Sequence, residues 1–208
     1  MSMTIKVFLL LAVYPMVALT AATEAASLPE SGKITVTTDY YWCILMATLL
    51  SVFVTISCMP IGGLRRKYFT AEFLEENFGE QHREAFGEDS KVPKSGYPDC
   101  GEGRYSSKLT YDQWFNFGNA QRVHQNNIEQ LPIYLVNVLL GGLFNPRVAA
   151  AYGLLVLLAR IEYTRGYLKG GANGRVIGAV GALLSTVVFL FYNCWMVGGV
   201  INSNNLWW

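Results

Sequence analysis

The chain is 208 residues long, 52% hydrophobic and only 15% charged, with a formal net charge of +1. An ordinary soluble domain carries about 25% charged residues, so this composition excludes a typical soluble enzyme and indicates a small polytopic membrane protein. The near-neutral balance offers a nucleic acid nothing to bind, because the basic residues sit in clusters that flank apolar segments.

Residues 1–22 place Lys6 before an apolar core, and the small residues Thr20, Ala21 and Ala22 close the segment with Thr23 next. That is the pattern of a secretory signal peptide. Removal leaves residues 23–208 as the mature domain with a luminal N-terminus; an uncleaved anchor is the alternative. The first span is expected over residues 40–61, uncharged throughout and closed by Arg65, Arg66 and Lys67. A long loop, residues 67–119, follows. It sets Phe69, Phe73, Phe78 and Phe86 among acidic residues, then carries Pro93, Gly96, Pro98 and Gly101. It reads either as an amphipathic cap over the mouth of a site or as a surface insertion without a catalytic role. Tyr111, Trp114, Phe115 and Phe117 are assigned to an interfacial aromatic belt.

The second span, residues 125–144, is the most informative. Its uncharged run is too short for the roughly 20 residues a helix needs to cross the hydrocarbon core, so it must recruit the polar residues before it. Arg122, Asn126 and Glu129 fall at i, i+4 and i+7, one narrow helical stripe. Ionisable groups at membrane depth are costly and face a bundle interior or a water-filled cavity. His124 lies off the stripe and reads as a satisfied or lipid-interface histidine. Asn145, Pro146 and Arg147 make a tight connection in which the proline opens the next helix. The third span is again short of charge-free length and must extend through Arg160, Tyr163 and Tyr167, which share a face at i, i+3 and i+7. The fourth span covers residues 176–201.

The expected fold is therefore an all-α membrane protein, a four-transmembrane-helix bundle. Only helices or closed barrels satisfy the backbone in lipid, and no barrel-like alternation is present. Arg65, Arg66, Lys67, Arg104, Lys108 and Arg122 flank the first loop, and Arg160, Arg165, Lys169 and Arg175 the third. The opposite side has little beyond Lys33 and Arg147. The positive-inside rule then makes the first and third loops cytosolic and both mature termini luminal. Cys43, Cys58, Cys100 and Cys194 have no paired spacing, so neither a disulfide framework nor a metal site is expected. Glycines at 141, 142, 178, 181, 198 and 199 are expected to allow close helix packing.

With this topology, Arg65, Arg66, Arg122, Asn126, Glu129, Arg160, Tyr163, Tyr167 and Arg175 converge on the cytosolic end. Several guanidiniums, one carboxylate, one amide and two phenols suit a small ligand bearing more than one carboxylate and one ammonium group. Arginine forks pair with carboxylates bidentately, and Glu129 can receive the amine. The competing reading is structural: juxtamembrane arginines also satisfy the positive-inside rule and contact lipid phosphates.

The blocks RVHQNNIEQLP (122–132), GGLFNPRVAAAYGL (141–154) and ARIEYTRGY (159–167) resemble the MAPEG family of membrane-associated proteins of eicosanoid and glutathione metabolism, nearest its type-3 microsomal glutathione transferase branch. The resemblance runs from about residue 40 to 200. It implies four-helix subunits assembled as homotrimers in the endoplasmic reticulum membrane, with the outer mitochondrial membrane as the alternative. It implies glutathione as co-substrate, bound between neighbouring subunits near the cytosolic face, with no metal. Carried over by position, Arg65, Arg122, Asn126, Glu129, Arg160, Tyr163 and Tyr167 would bind glutathione, Glu129 at the γ-glutamyl amine. Arg175 would activate the thiol and Arg66 would assist on the substrate side.

The activity implied is glutathione transfer to lipophilic electrophiles, with glutathione-dependent peroxidase activity on lipid hydroperoxides. A non-enzymatic lipid- or partner-binding member is the alternative, and an eicosanoid isomerase would share the same ligands. The chain departs from the family pattern in three places. Gly174 stands where counting from Tyr167 places the thiol-activating arginine, with Arg175 next. Gln130 replaces a tyrosine found in leukotriene C synthase. The 67–119 loop exceeds the family's usual connection.

Overall fold

The computed structural model describes residues 36–203; the signal-peptide reading of residues 1–22 lies outside them. Every regular element among the described residues is helical: α1 (Tyr40–Ile56), α2 (Met59–Tyr68), α3 (Ala71–Phe86), α4 (Tyr111–Phe144), α5 (Pro146–Gly174) and α6 (Val176–Ser203), with short 3-10 turns at Lys94–Gly96 and Ser106–Lys108. Two stretches, Tyr40–Tyr68 and Val176–Asn202, are long and apolar enough to cross a membrane. Only 28% and 33% of their most apolar windows are buried within the chain. A core helix of a soluble protein would be mostly buried, so these apolar surfaces are of the kind that lipid or a partner chain covers. Helices α4 and α5 are long enough but carry more polar residues, which is why they fall outside that pair.

The described residues divide into two compact units, residues 36–53 with 128–203, and residues 54–127. In the first, α1, α4, α5 and α6 each contribute to one core: Cys43 and Leu50, Tyr134 and Val138, Tyr152 and Val156, Phe189 and Tyr192. Tyr152 and Phe189 stack with ring centroids 4.3 Å apart, and the Tyr152 hydroxyl pairs with Thr186 Oγ1 at 3.2 Å. Asn145 caps α5, its side chain accepting from the Val148 N–H at 3.2 Å, with Pro146 in the first turn. This is the start that the sequence announced.

The α5 helix breaks at Gly170 and Gly171 before α6 begins. Gly171 has φ 60° and ψ −148°, a conformation essentially confined to glycine. Helix α6 meets α5 closely at Gly178, where a methyl group would lie 2.2 Å from the Tyr163 nitrogen and 2.6 Å from the Ala159 carbonyl oxygen. Backbone atoms cannot yield, so α6 packs flush against the α5 turn that carries Tyr163. Gly141 and Gly142 also sit at close contacts, whereas Gly198 and Gly199 face open space.

The second unit is built from α2, α3, the segment 87–110 and the start of α4. Thr70 caps α3 by accepting from the Phe73 N–H at 3.2 Å. Phe69, Leu74, Phe78 and Phe117 form its core, with Phe69 and Phe117 edge to face at 5.2 Å. The 67–119 stretch is thus not an open loop but folds around its own apolar centre. Phe117 is fully buried there, correcting its assignment to an interfacial belt, while Tyr111, Trp114 and Phe115 are exposed.

The segment 95–106 is organised by Asp99. Its buried carboxylate accepts from the N–H groups of Gly101 (2.7 Å), Gly103 (3.1 Å) and Ser106 (2.7 Å), and from the Ser106 hydroxyl. Burial alone pushes this carboxyl up, but the donors, led by the Ser106 and Gly101 amides, outweigh it and hold it below its ordinary value. A depressed carboxyl stabilises the fold fully above the unfolded aspartate value of about 3.9 and loses that contribution as pH falls through the folded value. Hydrogen-exchange protection at Gly101, Gly103 and Ser106 is therefore expected to hold from neutral pH to about 5 and to collapse below about 4. In Asp99→Asn this acid-induced loss should be absent.

Candidate functional site

The first unit assembles four of the expected residues into one ladder. Arg160, Tyr163 and Tyr167 are buried on one face of α5, at 4%, 2% and 7% exposure. The Arg160 guanidinium carbon sits 4.0 Å above the Tyr163 ring centroid. The Tyr163 and Tyr167 rings meet edge to face at 5.6 Å, and the Arg175 guanidinium lies 5.2 Å from the Tyr167 ring. Cation–π contacts of this kind contribute about 0.5–2 kcal/mol each, more when desolvated.

Arg175 reaches Tyr167 because the helix does not run straight. On an unbroken helix a residue eight positions later stands about 12 Å further along the axis. The break at Gly170 and Gly171 folds the last turn back instead, so that Gly166 and Gly174 come into backbone contact. Arg175 then lies at the α5–α6 junction, its carbonyl accepting from the Ala179 N–H at 2.9 Å. Although Arg175 is offset by one residue from the family count, its guanidinium lies over the Tyr167 ring.

Tyr134, which the sequence gave no reason to select, enters from α4. It is 4% exposed, and its phenol lies alongside the Arg160 guanidinium. The Tyr163 hydroxyl, also alongside Arg160, completes no hydrogen bond of normal geometry among the described residues. A buried hydroxyl without a partner costs on the order of 1–3 kcal/mol, so this group is available to a ligand. Glu129 is exposed on α4.

In the second unit the expected residues have different surroundings. Arg65 is 3% exposed; its Nη1 donates to the Ser95 and Gly96 carbonyls at 3.2 Å each and its Nη2 to the Asp99 carbonyl at 2.5 Å. The same guanidinium stacks on Tyr97 at 4.0 Å and Phe117 at 5.0 Å. Arg65 thus ties the 95–99 segment to α2. Arg66 is exposed and lines a surface groove with Phe69, Thr70, Lys91 and Lys94. Arg122 is exposed and donates to Gln125 Oε1 at 3.2 Å; Asn126 is half-buried and engaged. His124 pairs through Nδ1 with Ser57 Oγ at 2.8 Å, a satisfied histidine as expected.

The model of the MAPEG family matches residues 41–195. The chain belongs to the MAPEG family. The match runs from α1 into α6 and contains all nine expected site residues. As a MAPEG protein it belongs to a membrane family whose members use glutathione, and the two apolar stretches suit that setting. A ligand such as glutathione offers two carboxylates to arginine forks, an ammonium to a carboxylate and a thiol to a nearby cation. The Arg160–Tyr163–Tyr167–Arg175 ladder presents a guanidinium at each end and an available phenol between them.

Proposed function

We propose that this MAPEG protein is an integral membrane glutathione transferase of the type-3 microsomal kind that also reduces lipid hydroperoxides. The observation that carries the reading is the buried Arg160–Tyr163–Tyr167–Arg175 ladder within a family whose members use glutathione. In this reading the chain spans the endoplasmic reticulum membrane four times, assembles as a homotrimer, and binds glutathione at the border between neighbouring subunits on the cytosolic side. Arg122, Asn126, Arg160, Tyr163 and Tyr167 hold the tripeptide, and Glu129 takes the γ-glutamyl ammonium. Arg65 contributes through the segment it anchors, and Arg66 assists on the substrate side.

Arg175 is the thiol-activating cation. A thiol of pKa about 8.5 is only a few per cent ionised at neutral pH, and each unit of lowering corresponds to about 1.4 kcal/mol of preferential stabilisation of the anion. The thiolate attacks an electrophilic carbon, forming a C–S bond while the displaced electron pair goes to a leaving group or is protonated. With a hydroperoxide, sulfur attacks oxygen, the O–O bond breaks and the alcohol departs. A second glutathione then displaces water from the oxidised sulfur to give the disulfide. Apolar substrates reach such a site laterally from the bilayer.

Calorimetric titration of the detergent-purified protein with glutathione tests the reading. Saturable binding is expected, weakened about tenfold or more in Glu129→Gln by loss of a charge-assisted contact to the ammonium. No binding by the wild type would leave a non-enzymatic lipid-binding protein as the better account.

A further inference from the structure

The glycines between residues 166 and 178 do different things. Gly171 turns the chain through its positive φ, and Gly170 has nothing within 4 Å of where a side chain would begin. Gly166 and Gly174 meet each other. A methyl group on Gly166 would run into the Gly174 carbonyl oxygen and lie 3.4 Å from the Arg175 nitrogen. One on Gly174 would run into the Gly166 carbonyl oxygen. Arg175 is therefore held from both sides: its amide end rests against Gly166 of α5, and its carbonyl accepts from the Ala179 N–H of α6 at 2.9 Å. Only its side chain is left to adjust, and the guanidinium lies 5.2 Å from the ring of Tyr167. The glycine that receives the arginine backbone is thus the immediate neighbour of the tyrosine under its cation.

We infer that Gly166 and Gly174 are positioning residues for Arg175, their backbone contact fixing where the arginine leaves the α5–α6 junction and so where its cation is presented. The inference rests on the glutathione reading and deepens it, since neither glycine has a side chain to offer a ligand. A carbonyl cannot swing aside as the end of a flexible side chain can, so a methyl group at either position must push two backbones apart. Restoring an ordinary carbon contact of about 3.5–4 Å takes a shift of about 1 Å or more. Misplacement on that scale costs up to about 100-fold in rate. Arg160, Tyr163 and Tyr167 share a face of α5 ahead of its break, so they keep their places when the junction moves. The effect falls on ionisation of the thiol rather than on affinity for the tripeptide.

Gly166→Ala and Gly174→Ala are the test, with Gly170→Ala as the control, because an alanine there meets open space at a φ of −130°. Each is titrated with glutathione by calorimetry and by ultraviolet thiolate absorbance at neutral pH, alone and combined with Arg175→Ala. The expected result is a Kd within about threefold of the wild type, with the thiolate signal reduced about tenfold. The acidic limb of the pH–rate profile should move to higher pH, as it does when the cation is withdrawn from the thiol. Gly170→Ala should match the wild type. In the Arg175→Ala background neither glycine substitution should add a further loss, because both act through the one cation. A full thiolate signal in both variants, or losses that multiply with that of Arg175→Ala, would overturn the positioning role and leave the glutathione reading intact. Loss of glutathione binding in both would overturn it too, since the glycines would then shape the whole site rather than place Arg175. A wild-type protein that binds no glutathione overturns both readings, and the wild-type titration alone shows which has failed.

Discussion

Replacing Arg175 with alanine should lower kcat/KM for glutathione conjugation about 100-fold, the scale expected when one preorganised charged donor is removed from a developing or resident anion. The acidic limb of the pH–rate profile should also move. Arg175 lies over Tyr167 at the end of the ladder, and a cation near the sulfur lowers the thiol pKa by favouring its charged form. Without it the thiol returns towards its free value of about 8.5, so the rate now rises at higher pH and part of the loss is recovered in alkaline buffer. Glutathione affinity should fall much less, because the carboxylate and ammonium contacts remain. Arg175→Lys keeps the charge but not the planar stacking on Tyr167, so an intermediate rate is expected. Stopped-flow conjugation across pH separates these outcomes. A full rate with an unmoved acidic limb in Arg175→Ala would remove Arg175 from the chemistry.

The second large effect is on stability. Arg65→Ala removes the fork that satisfies the Ser95, Gly96 and Asp99 carbonyls and the stacking on Tyr97 and Phe117. Hydrogen bonds to a charged group contribute about 1.5–3 kcal/mol, and buried carbonyls left without donors cost more than the bonds returned. A loss of at least about 3 kcal/mol is expected for the unit spanning residues 54–127. Limited proteolysis should report it as rapid cleavage between residues 87 and 110, at sites resistant in the wild type. Arg65→Lys should rescue poorly, since an ammonium cannot bridge three carbonyls in that geometry. Because Arg66 is exposed, Arg66→Ala serves as the control and should leave the cleavage pattern unchanged.

The difference between these neighbours shows what the sequence could and could not convey. Arg65 and Arg66 look alike in a positive-inside cluster, yet one is buried against backbone carbonyls and the other is exposed. Carbonyls carry no side-chain signature, so nothing in the sequence marks the segment that Arg65 holds. The helix starts were more legible: Asn145 and Pro146 cap and open α5 where their chemistry requires, and Arg160, Tyr163 and Tyr167 share the face that their spacing implied.

Phe117 was misread for a physical reason. A phenylalanine three residues after an exposed tryptophan at a helix start fits an interfacial belt, but its side chain completes a core whose other half, Phe69 and Phe78, lies some forty residues away in sequence. Long-range apolar partners of that kind leave no local pattern. Tyr134 was hidden by its company: within an apolar run it passes for a core or lipid-facing ring, and only the fold brings its phenol alongside Arg160 of α5. The reach of Arg175 was unreadable for a different reason, since helical counting fails wherever a glycine such as Gly171 bends the chain through a conformation closed to other residues.

The central claim is that this chain binds glutathione and ionises it with Arg175. The most direct measurement is ultraviolet thiolate absorbance during titration of detergent-purified protein with glutathione at neutral pH, in the wild type and Arg175→Ala. The account predicts a saturable thiolate signal in the wild type and its loss in the variant while binding persists. A wild-type protein that binds glutathione without generating thiolate, or an undiminished signal in Arg175→Ala, would contradict it.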